Sequence, residues 1–128
     1  DLIRNRKTGQ KAQVQRKELL RNGNGCGIAV EIVKYPQLEE ICNTLMEKLD
    51  LNGVSNAEFF CVEKDGEPAK FRIIEINPRF SAGSRYTCMA GINTVLNAKR
   101  IADGEKCEFG TVEAGQHFAE RYEAYRMN

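Results

Sequence analysis

A chain of 128 residues buries one hydrophobic core, and its 41% hydrophobic and 29% charged residues are typical of a globular domain rather than a collagen-like or disordered chain. With 19 basic and 18 acidic residues the formal net charge is +1, so no overall positive field attracts nucleic acid or an anionic membrane. No apolar run approaches the roughly 20 residues that span a bilayer, and the polar start lacks a signal peptide's apolar core, so we expect a single cytoplasmic domain without a nucleic-acid or membrane partner.

The first third of the chain predicts three strands. Leu2–Arg4 enters a polar turn at residues 5–9, and a loosely alternating pattern resumes at residues 12–20, which predicts a hairpin. A loop of asparagine and glycine at residues 22–25 is followed by β-branched residues over 28–33. These residues favour a third strand.

The clearest helix begins at Pro36, a residue that suits the first helical turn because its missing N–H needs no intrahelical partner there. Asn52-Gly53 is a typical helix stop. Between these limits apolar residues recur at spacings of three and four, which gives the helix one apolar face. They are Leu38, Ile41, Cys42, Leu45, Met46 and Leu49.

The second half of the chain predicts a hairpin, a helix and a last strand. Residues 54–62 and 71–76 are rich in aromatic and β-branched residues and flank a turn, a pattern typical of a β-hairpin. Residues 87–101 predict a second helix, which Gly91 weakens, and residues 118–125 predict a last strand. The fold class is therefore α+β, a mostly antiparallel sheet with two helices packed on one face.

The five cysteines are odd in number and include no C-x-x-C pair. This pattern fits neither a disulfide framework nor a structural zinc site. We expect reduced thiols that serve in packing. They are Cys26, Cys42, Cys61, Cys88 and Cys107.

The hairpin carries the residues with the clearest chemical signal. Glu75 is a charge in an apolar strand, and strand alternation places it on one face with Asn77 and Arg79 if the strand stays regular. A hairpin centred between residues 66 and 67 places Glu58 directly opposite Glu75, with Cβ atoms about 4.5–5.5 Å apart. Two carboxylates so close repel each other unless a cation lies between them. With the Asn77 amide they form an oxygen set that Mg²⁺ accepts.

A second interpretation of the two carboxylates stays open at this point. A register slip of one residue moves Glu58 to the other face of the hairpin. The alternative interpretation is that Glu58 and Glu75 are solvent-facing strand residues paired with Lys64, Lys70 or Arg72.

Three strings resemble the C-terminal subdomain of ATP-grasp ligases. They are Asn-Ala-Glu-Phe-Phe at 56–60, Ile-Ile-Glu-Ile-Asn-Pro-Arg-Phe-Ser-Ala-Gly at 73–83, and Ala-Gly-Ile-Asn at 90–93. The nearest likeness is to members of the carbamoyl-phosphate synthase large-chain type. The resemblance implies that residues 1–128 are the C-terminal lobe of an ATP-grasp domain whose N-terminal lobe is absent. A first residue other than Met, in a segment that resembles the middle of a strand, is consistent with part of a longer protein.

The resemblance also implies roles for individual residues. Glu58, Glu75 and Asn77 match the ligands of Mg²⁺ or Mn²⁺, and Arg79 matches the catalytic arginine that contacts the transferred phosphate. Four further positions match contacts to ATP. They are Phe60 and Ile74 at the adenine, and Arg16 and Lys17 near the phosphates or the acyl-phosphate.

Two of these assignments, Arg16 and Lys17, have a structural alternative. Each residue is open to a second interpretation as a surface cation.

The small residues at 81–84 suit a phosphate-binding loop. Because the chain has no Walker-type Gly-Lys-Ser/Thr string, a plain turn is the preferred interpretation.

The activity implied is that of an ATP-dependent carboxylate–amine ligase, or of a carbamoyl-phosphate synthase-like enzyme, acting through an acyl-phosphate. Its partners would be ATP, a small carboxylate, an amine and the missing lobe, so the chain alone is expected to be inactive. The alternative is a non-catalytic module for nucleotide sensing or subunit interaction. A sheet face that another lobe normally covers also predicts self-association into a homo-oligomer.

Overall fold

The computed structural model describes residues 1–127, in which seven strands form two antiparallel sheets and three further segments are helices. The α+β class and the antiparallel pairing predicted from the sequence are confirmed. The strands are β1 (Leu2–Arg4), β2 (Lys11–Gln13), β3 (Gln15–Arg21), β4 (Gly27–Val33), β5 (Gly53–Lys64), β6 (Glu67–Asn77) and β7 (His117–Ala119). The helices are α1 (Pro36–Lys48), α2 (Ser84–Met89) and α3 (Thr94–Ala102).

The predicted second strand is divided between the two sheets. β1 and β2 form the expected hairpin and join a sheet of order β2-β1-β5-β6, whereas β3 belongs to a sheet of order β3-β4-β7. Val14, which is buried in the core, lies at the transition. The single strand predicted over residues 12–20 was therefore wrong, because the chain changes sheets after Gln13.

Helices cover both faces of the first sheet, which corrects the predicted placement of two helices on one face. Leu2 packs against Cys42 and Met46 of α1. Its neighbour Ile3 belongs to a second cluster, against which Ala98 of α3 packs. Because neighbouring side chains of a strand point to opposite faces, α1 and α3 lie on opposite sides of β1.

The helix predicted over residues 87–101 is two helices. Gly91 has φ +118°, a backbone conformation that is incompatible with an α-helix. α3 then begins with an N-cap at Asn93, whose side chain accepts a hydrogen bond from the backbone N–H of Leu96 at 2.9 Å. A buried residue, Ile92, lies in the break and packs into the core.

The last strand is shorter than the predicted segment 118–125. β7 pairs with β4 over three residues, from Ala29↔Ala119 to Glu31↔His117. The backbone N–H of Glu120 still donates to Ile28 O at 2.8 Å.

All five cysteines are free thiols, as expected. The expectation that they all serve in packing holds for the buried Cys42 and Cys107 but was wrong for Cys61, which is exposed on the hairpin. Within the described part of the chain, no helix is long and apolar enough to cross a membrane.

Candidate functional site

The β5–β6 hairpin pairs Glu58 directly with Glu75, as the sequence predicts, and Asn56 with Asn77. Directly paired residues of antiparallel strands project from the same face of the sheet. The structure therefore brings the two carboxylates together on neighbouring strands.

The turn that produces this pairing is not the predicted one. Lys64 pairs with Glu67, so the turn is Asp65-Gly66 and its centre lies one residue earlier than predicted. Two irregularities in the pairing each place one additional residue in β6, and one of these is Ile74. The two additional residues compensate for the displaced turn, and the register at Glu58 is the predicted one.

The carboxylates lack the basic partners that the alternative interpretation requires. Among the ion pairs formed within residues 1–127, none involves Glu58 or Glu75. Lys64 and Arg72 form no ion pair there, and Lys70 is paired with a different carboxylate of the hairpin at 2.8 Å. The interpretation of Glu58 and Glu75 as partners of these cations was wrong.

Asn77 completes the oxygen-rich group. Its Nδ2 donates a hydrogen bond to Glu75 Oε1 at 2.7 Å. The part of the chain that the structure describes contains no cluster of three or more His, Cys, Asp or Glu side chains suited to a metal. Two carboxylates and one amide thus form a partial set, and Mg²⁺ usually fills its remaining positions with water and phosphate oxygens. The donor set fits a metal that is bound together with a phosphate ligand.

A cavity of about 470 Å³ lies beside this group, between the hairpin, β3 and the segment that follows β6. Five of the eight predicted site residues line it, whereas Phe60, Glu75 and Asn77 do not. Phe60 is 65% exposed on the outside of the hairpin. The five that line the cavity are Arg16, Lys17, Glu58, Ile74 and Arg79.

Arg79 reaches the cavity from a loop. β6 ends at Asn77, before Pro78, and the backbone N–H of Arg79 donates to Asn77 O at 2.8 Å. The strand therefore does not continue to Arg79, so the condition for Glu75, Asn77 and Arg79 to share one regular strand face is not met. A proline lacks the N–H that strand pairing requires, which accounts for the end of β6.

Arg16 is enclosed by protein. Its Nη1 donates to Asp1 Oδ2 at 2.6 Å, to Thr87 Oγ1 at 2.6 Å and to Gly83 O at 3.0 Å, and its Nη2 donates to Ser81 Oγ at 3.1 Å. The Arg16 side chain is 11% exposed and the Asp1 side chain is fully buried. The interpretation of Arg16 as a surface cation was therefore wrong.

The electrostatic surroundings of Arg16 connect it to the carboxylate pair. Burial lowers the pKa of Arg16, and the nearby carboxylates of Glu18 and Glu58 act in the opposite direction. An arginine stays protonated despite such a shift. The charge of Glu58 thus acts on a guanidinium that lines the same cavity.

Lys17 bridges the two sheets through Glu63 of the hairpin. Lys17 Nζ lies 3.2 Å from Glu63 Oε2, and Tyr35 Oη donates to Glu63 Oε1 at 2.7 Å. The ring of Tyr35 packs edge-on against Phe71, with centroids 5.3 Å apart. The hydrogen bond to Glu63 raises the pKa of Tyr35 to about 12, so its hydroxyl stays protonated at neutral pH.

Sequence reasoning did not connect several side chains that surround the site with Arg16 or Lys17, because they come from distant segments. The Asp1 carboxylate, Ser81 and Thr87 surround Arg16, and Tyr35 and Glu63 surround Lys17. No spacing along the chain links these residues. Glu63 is the exception, because strand alternation could have indicated its position. It lies two residues after Cys61 and four after Phe59, and therefore on the same face of β5 as these two residues, the face that turns toward β3.

A comparison with known protein families identifies the family to which this chain belongs. A family described as "ATP-grasp in the biosynthetic pathway with Ter operon" matches residues 1–123, nearly the whole chain. No curated protein and no solved structure matches the chain. ATP-grasp domains in general serve ATP-dependent ligases that use ATP and Mg²⁺. The α+β fold and the family match over residues 1–123 together establish that this chain belongs to the ATP-grasp superfamily, within the family associated with the Ter operon.

Proposed function

We propose that this chain is the Mg²⁺- and ATP-binding half of an ATP-grasp ligase that joins a carboxylate to an amine, or forms a carbamoyl-phosphate-type product, through an acyl-phosphate. The observation that carries the proposal is the direct pairing of Glu58, which lines the cavity, with Glu75 on the neighbouring strand. Neither carboxylate has a basic partner within residues 1–127, so their charges are available to a cation. Opposed like charges destabilise a strand pair, and a bound divalent cation relieves that cost.

In this proposal Glu58, Glu75 and Asn77 hold the metal through their side-chain oxygens. Mg²⁺, when bound, neutralises charge on the phosphate oxygens. The exposed guanidinium of Arg79 contacts the transferred phosphate from the loop after β6. No residue of the chain has to form a covalent bond, because positioning and charge stabilisation account for most of the catalysis of phosphoryl transfer.

The substrate's carboxylate attacks the γ-phosphoryl group, ADP leaves, and the amine then displaces phosphate from the acyl-phosphate. We assign Ile74 and Phe60 to the adenine and Lys17 to the phosphate side of the cavity. An N-terminal lobe completes the nucleotide site in this proposal. We accordingly expect the 128-residue chain alone to lack ligase activity.

A metal titration of this chain tests the proposal directly. Mn²⁺ serves as the probe, and its binding is followed by electron paramagnetic resonance and water proton relaxation. Replacing Glu75 by glutamine removes one of two anionic ligands, so we expect Mn²⁺ affinity to fall by roughly tenfold or more. Glu67→Gln is the matched control on the same strand, because the Glu67 carboxylate is paired with Lys70 at 2.8 Å and lies near the turn.

Two outcomes would contradict the proposal. One is Mn²⁺ affinity that is equal in the unmodified chain, Glu75→Gln and Glu67→Gln. The other is Mg-ATP binding, measured by calorimetry on the chain joined to an N-terminal lobe, that does not depend on Glu75. Either result would favour the alternative, a non-catalytic nucleotide-sensing or interaction module.

A further inference from the structure

The buried guanidinium of Arg16 joins three segments that are distant in sequence. It contacts Asp1 before β1, Ser81 and Gly83 in the loop after β6, and Thr87 in α2, at 2.6 to 3.1 Å. Thr87 Oγ1 also donates to Asp1 Oδ2 at 2.6 Å. The three segments therefore meet at a single cation.

The loop backbone lies directly against this cation. A Cβ atom added to Gly83 would lie 3.2 Å from Cζ and 3.2 Å from Nη2 of Arg16. Such distances are tighter than ordinary van der Waals contact, so the loop approaches the guanidinium as closely as a glycine allows. The position of residues 81–83 is thus set by the position of Arg16.

This loop is the segment that carries Arg79. β6 ends at Asn77, and Ser81 follows Arg79 by two residues. The other hydrogen bonds of residues 78–83 are local, such as that from Arg79 N–H to Asn77 O. Within residues 1–127, every hydrogen bond that ties this loop to a distant part of the chain comes from Arg16.

Little of the Arg16 guanidinium is left for a phosphate. Both of its terminal NH₂ groups donate to protein oxygens, and its charge is balanced by the fully buried Asp1 carboxylate. A phosphate-binding arginine typically presents this same pair of donors to its ligand.

We propose that Arg16 is a positioning residue that holds residues 81–83 in place and thereby directs Arg79 to the cavity, without itself binding the phosphate. This inference rests on the proposed function, in which Arg79 contacts the phosphate of Mg-ATP. It reassigns Arg16 from the nucleotide-contacting role that the family resemblance implies.

Variants of two residues that accept hydrogen bonds from Arg16, Ser81 in the loop and Thr87 in α2, test this role while Arg16 is retained. Ser81→Ala and Thr87→Val each remove one acceptor of the guanidinium, and Thr87→Ser keeps the hydroxyl as a matched control. In the chain joined to an N-terminal ATP-grasp lobe we expect Ser81→Ala and Thr87→Val to lower Mg-ATP affinity about three- to tenfold, with Thr87→Ser close to the unmodified protein. Mn²⁺ affinity without nucleotide should not change, because the paired strands hold Glu58 and Glu75.

A double-mutant cycle separates positioning from direct binding. If Arg16 acts through Arg79, Ser81→Ala in an Arg79→Ala background causes no further loss of Mg-ATP affinity. The proposal is overturned if the two losses multiply, or if Ser81→Ala and Thr87→Val bind Mg-ATP normally while Arg16→Lys does not. The latter pattern would show that Arg16 binds the phosphate itself.

Amide hydrogen exchange provides a readout that needs no ligand. Loss of the Arg16 contacts should accelerate exchange at the amides of Ser84 and Tyr86, which bond to Ser81 O and Gly83 O, and leave β4 unchanged. Unchanged exchange there in Ser81→Ala and Thr87→Val would refute the positioning role. If Mg-ATP binding proves independent of Glu75, the proposed function fails, whereas the exchange result still decides whether Arg16 orders the loop.

Discussion

At the scale of single residues, the distinction between structural and functional charges lies in their partners. Arg16 is neutralised inside the protein by Asp1, and Lys17 is paired with Glu63. Glu58 and Glu75 have no such partner within residues 1–127 although they are paired across two strands. An isolated pair of like charges is costly, so these two carboxylates are the strongest functional candidates of the chain.

Cys42, unlike the carboxylates of Glu58 and Glu75, is a titratable group that burial keeps neutral. It is 3% exposed and packs in the cluster formed by Leu2 and Met46. Burial raises the pKa of its thiol to about 11. The thiol therefore stays protonated at neutral pH and is a poor nucleophile, which is consistent with a packing role.

This shift predicts a loss of stability at alkaline pH. The pKa of Cys42 is raised on folding, so its contribution to stability is complete below about pH 9 and disappears as the pH rises toward 11. The difference in the free energy of unfolding between the unmodified chain and Cys42→Ala should therefore decrease by about 2 kcal/mol over this window. Urea unfolding at several pH values measures the difference. Leu38→Ala, in the same cluster but without a titratable group, should show a constant difference, and a constant value for Cys42→Ala would contradict the prediction.

At the scale of elements, a glycine determines where the second helical segment is divided. Gly91 has φ +118°, and a Cβ atom placed there would lie 2.6 Å from Thr111 O. The backbone N–H of Gly110 donates to Gly91 O at 3.2 Å, so the segment after α3 is attached at the same point. The backbone of Gly91, between α2 and α3, therefore packs directly against the backbone of residues 110–111.

Replacing Gly91 by alanine should therefore be strongly destabilising. The substitution combines an unfavourable backbone conformation with a steric clash against backbone atoms, and we expect a loss of about 3 kcal/mol or more in the free energy of unfolding. Gly25→Ala is the control, because Gly25 has φ +79° but open space around it, and should cost only about 1 kcal/mol. Chemical denaturation of both variants measures the difference. Equal losses would show that the contact with Thr111 has no energetic consequence.

The hairpin shows how far sequence reasoning reaches at this scale. Alternation and turn residues predict β5 and β6 and even the pairing of Glu58 with Glu75. They do not predict the two irregularities in β6, because an additional residue in one strand leaves no reliable trace in its pattern. The correct register resulted from a turn placed one residue late and two additional residues that compensated for it.

At the scale of the whole molecule, the β5–β6 hairpin exposes several large apolar side chains. Large apolar side chains of the hairpin are 42–65% exposed, an arrangement typical of interaction surfaces. They are Phe60, Val62, Ile73 and Ile74. In the proposed function this surface and the adjacent cavity form one wall of the nucleotide site.

A comparison of two proteins tests this arrangement. We expect the 128-residue chain to bind Mg-ATP at least about tenfold more weakly than the same chain joined to an N-terminal ATP-grasp lobe, because a second wall adds contacts to the nucleotide. Titration calorimetry measures both affinities. The Phe60→Ser variant should weaken binding only in the two-lobe protein. Equal affinities with and without the lobe would indicate that the chain forms a complete site.

The sequence by itself determined the α+β class, α1, the hairpin pairs β1–β2 and β5–β6 and the identity of the oxygen-bearing residues, because these depend on local periodicity and on neighbours close along the chain. Only the tertiary structure decided that helices lie on both faces of the first sheet and that Val14 marks a change of sheet. It also decided that Arg16 is enclosed by Asp1 and Thr87, residues that are 15 and 71 positions away from it. Such contacts depend on how distant segments pack, and no repeating pattern in the chain encodes them.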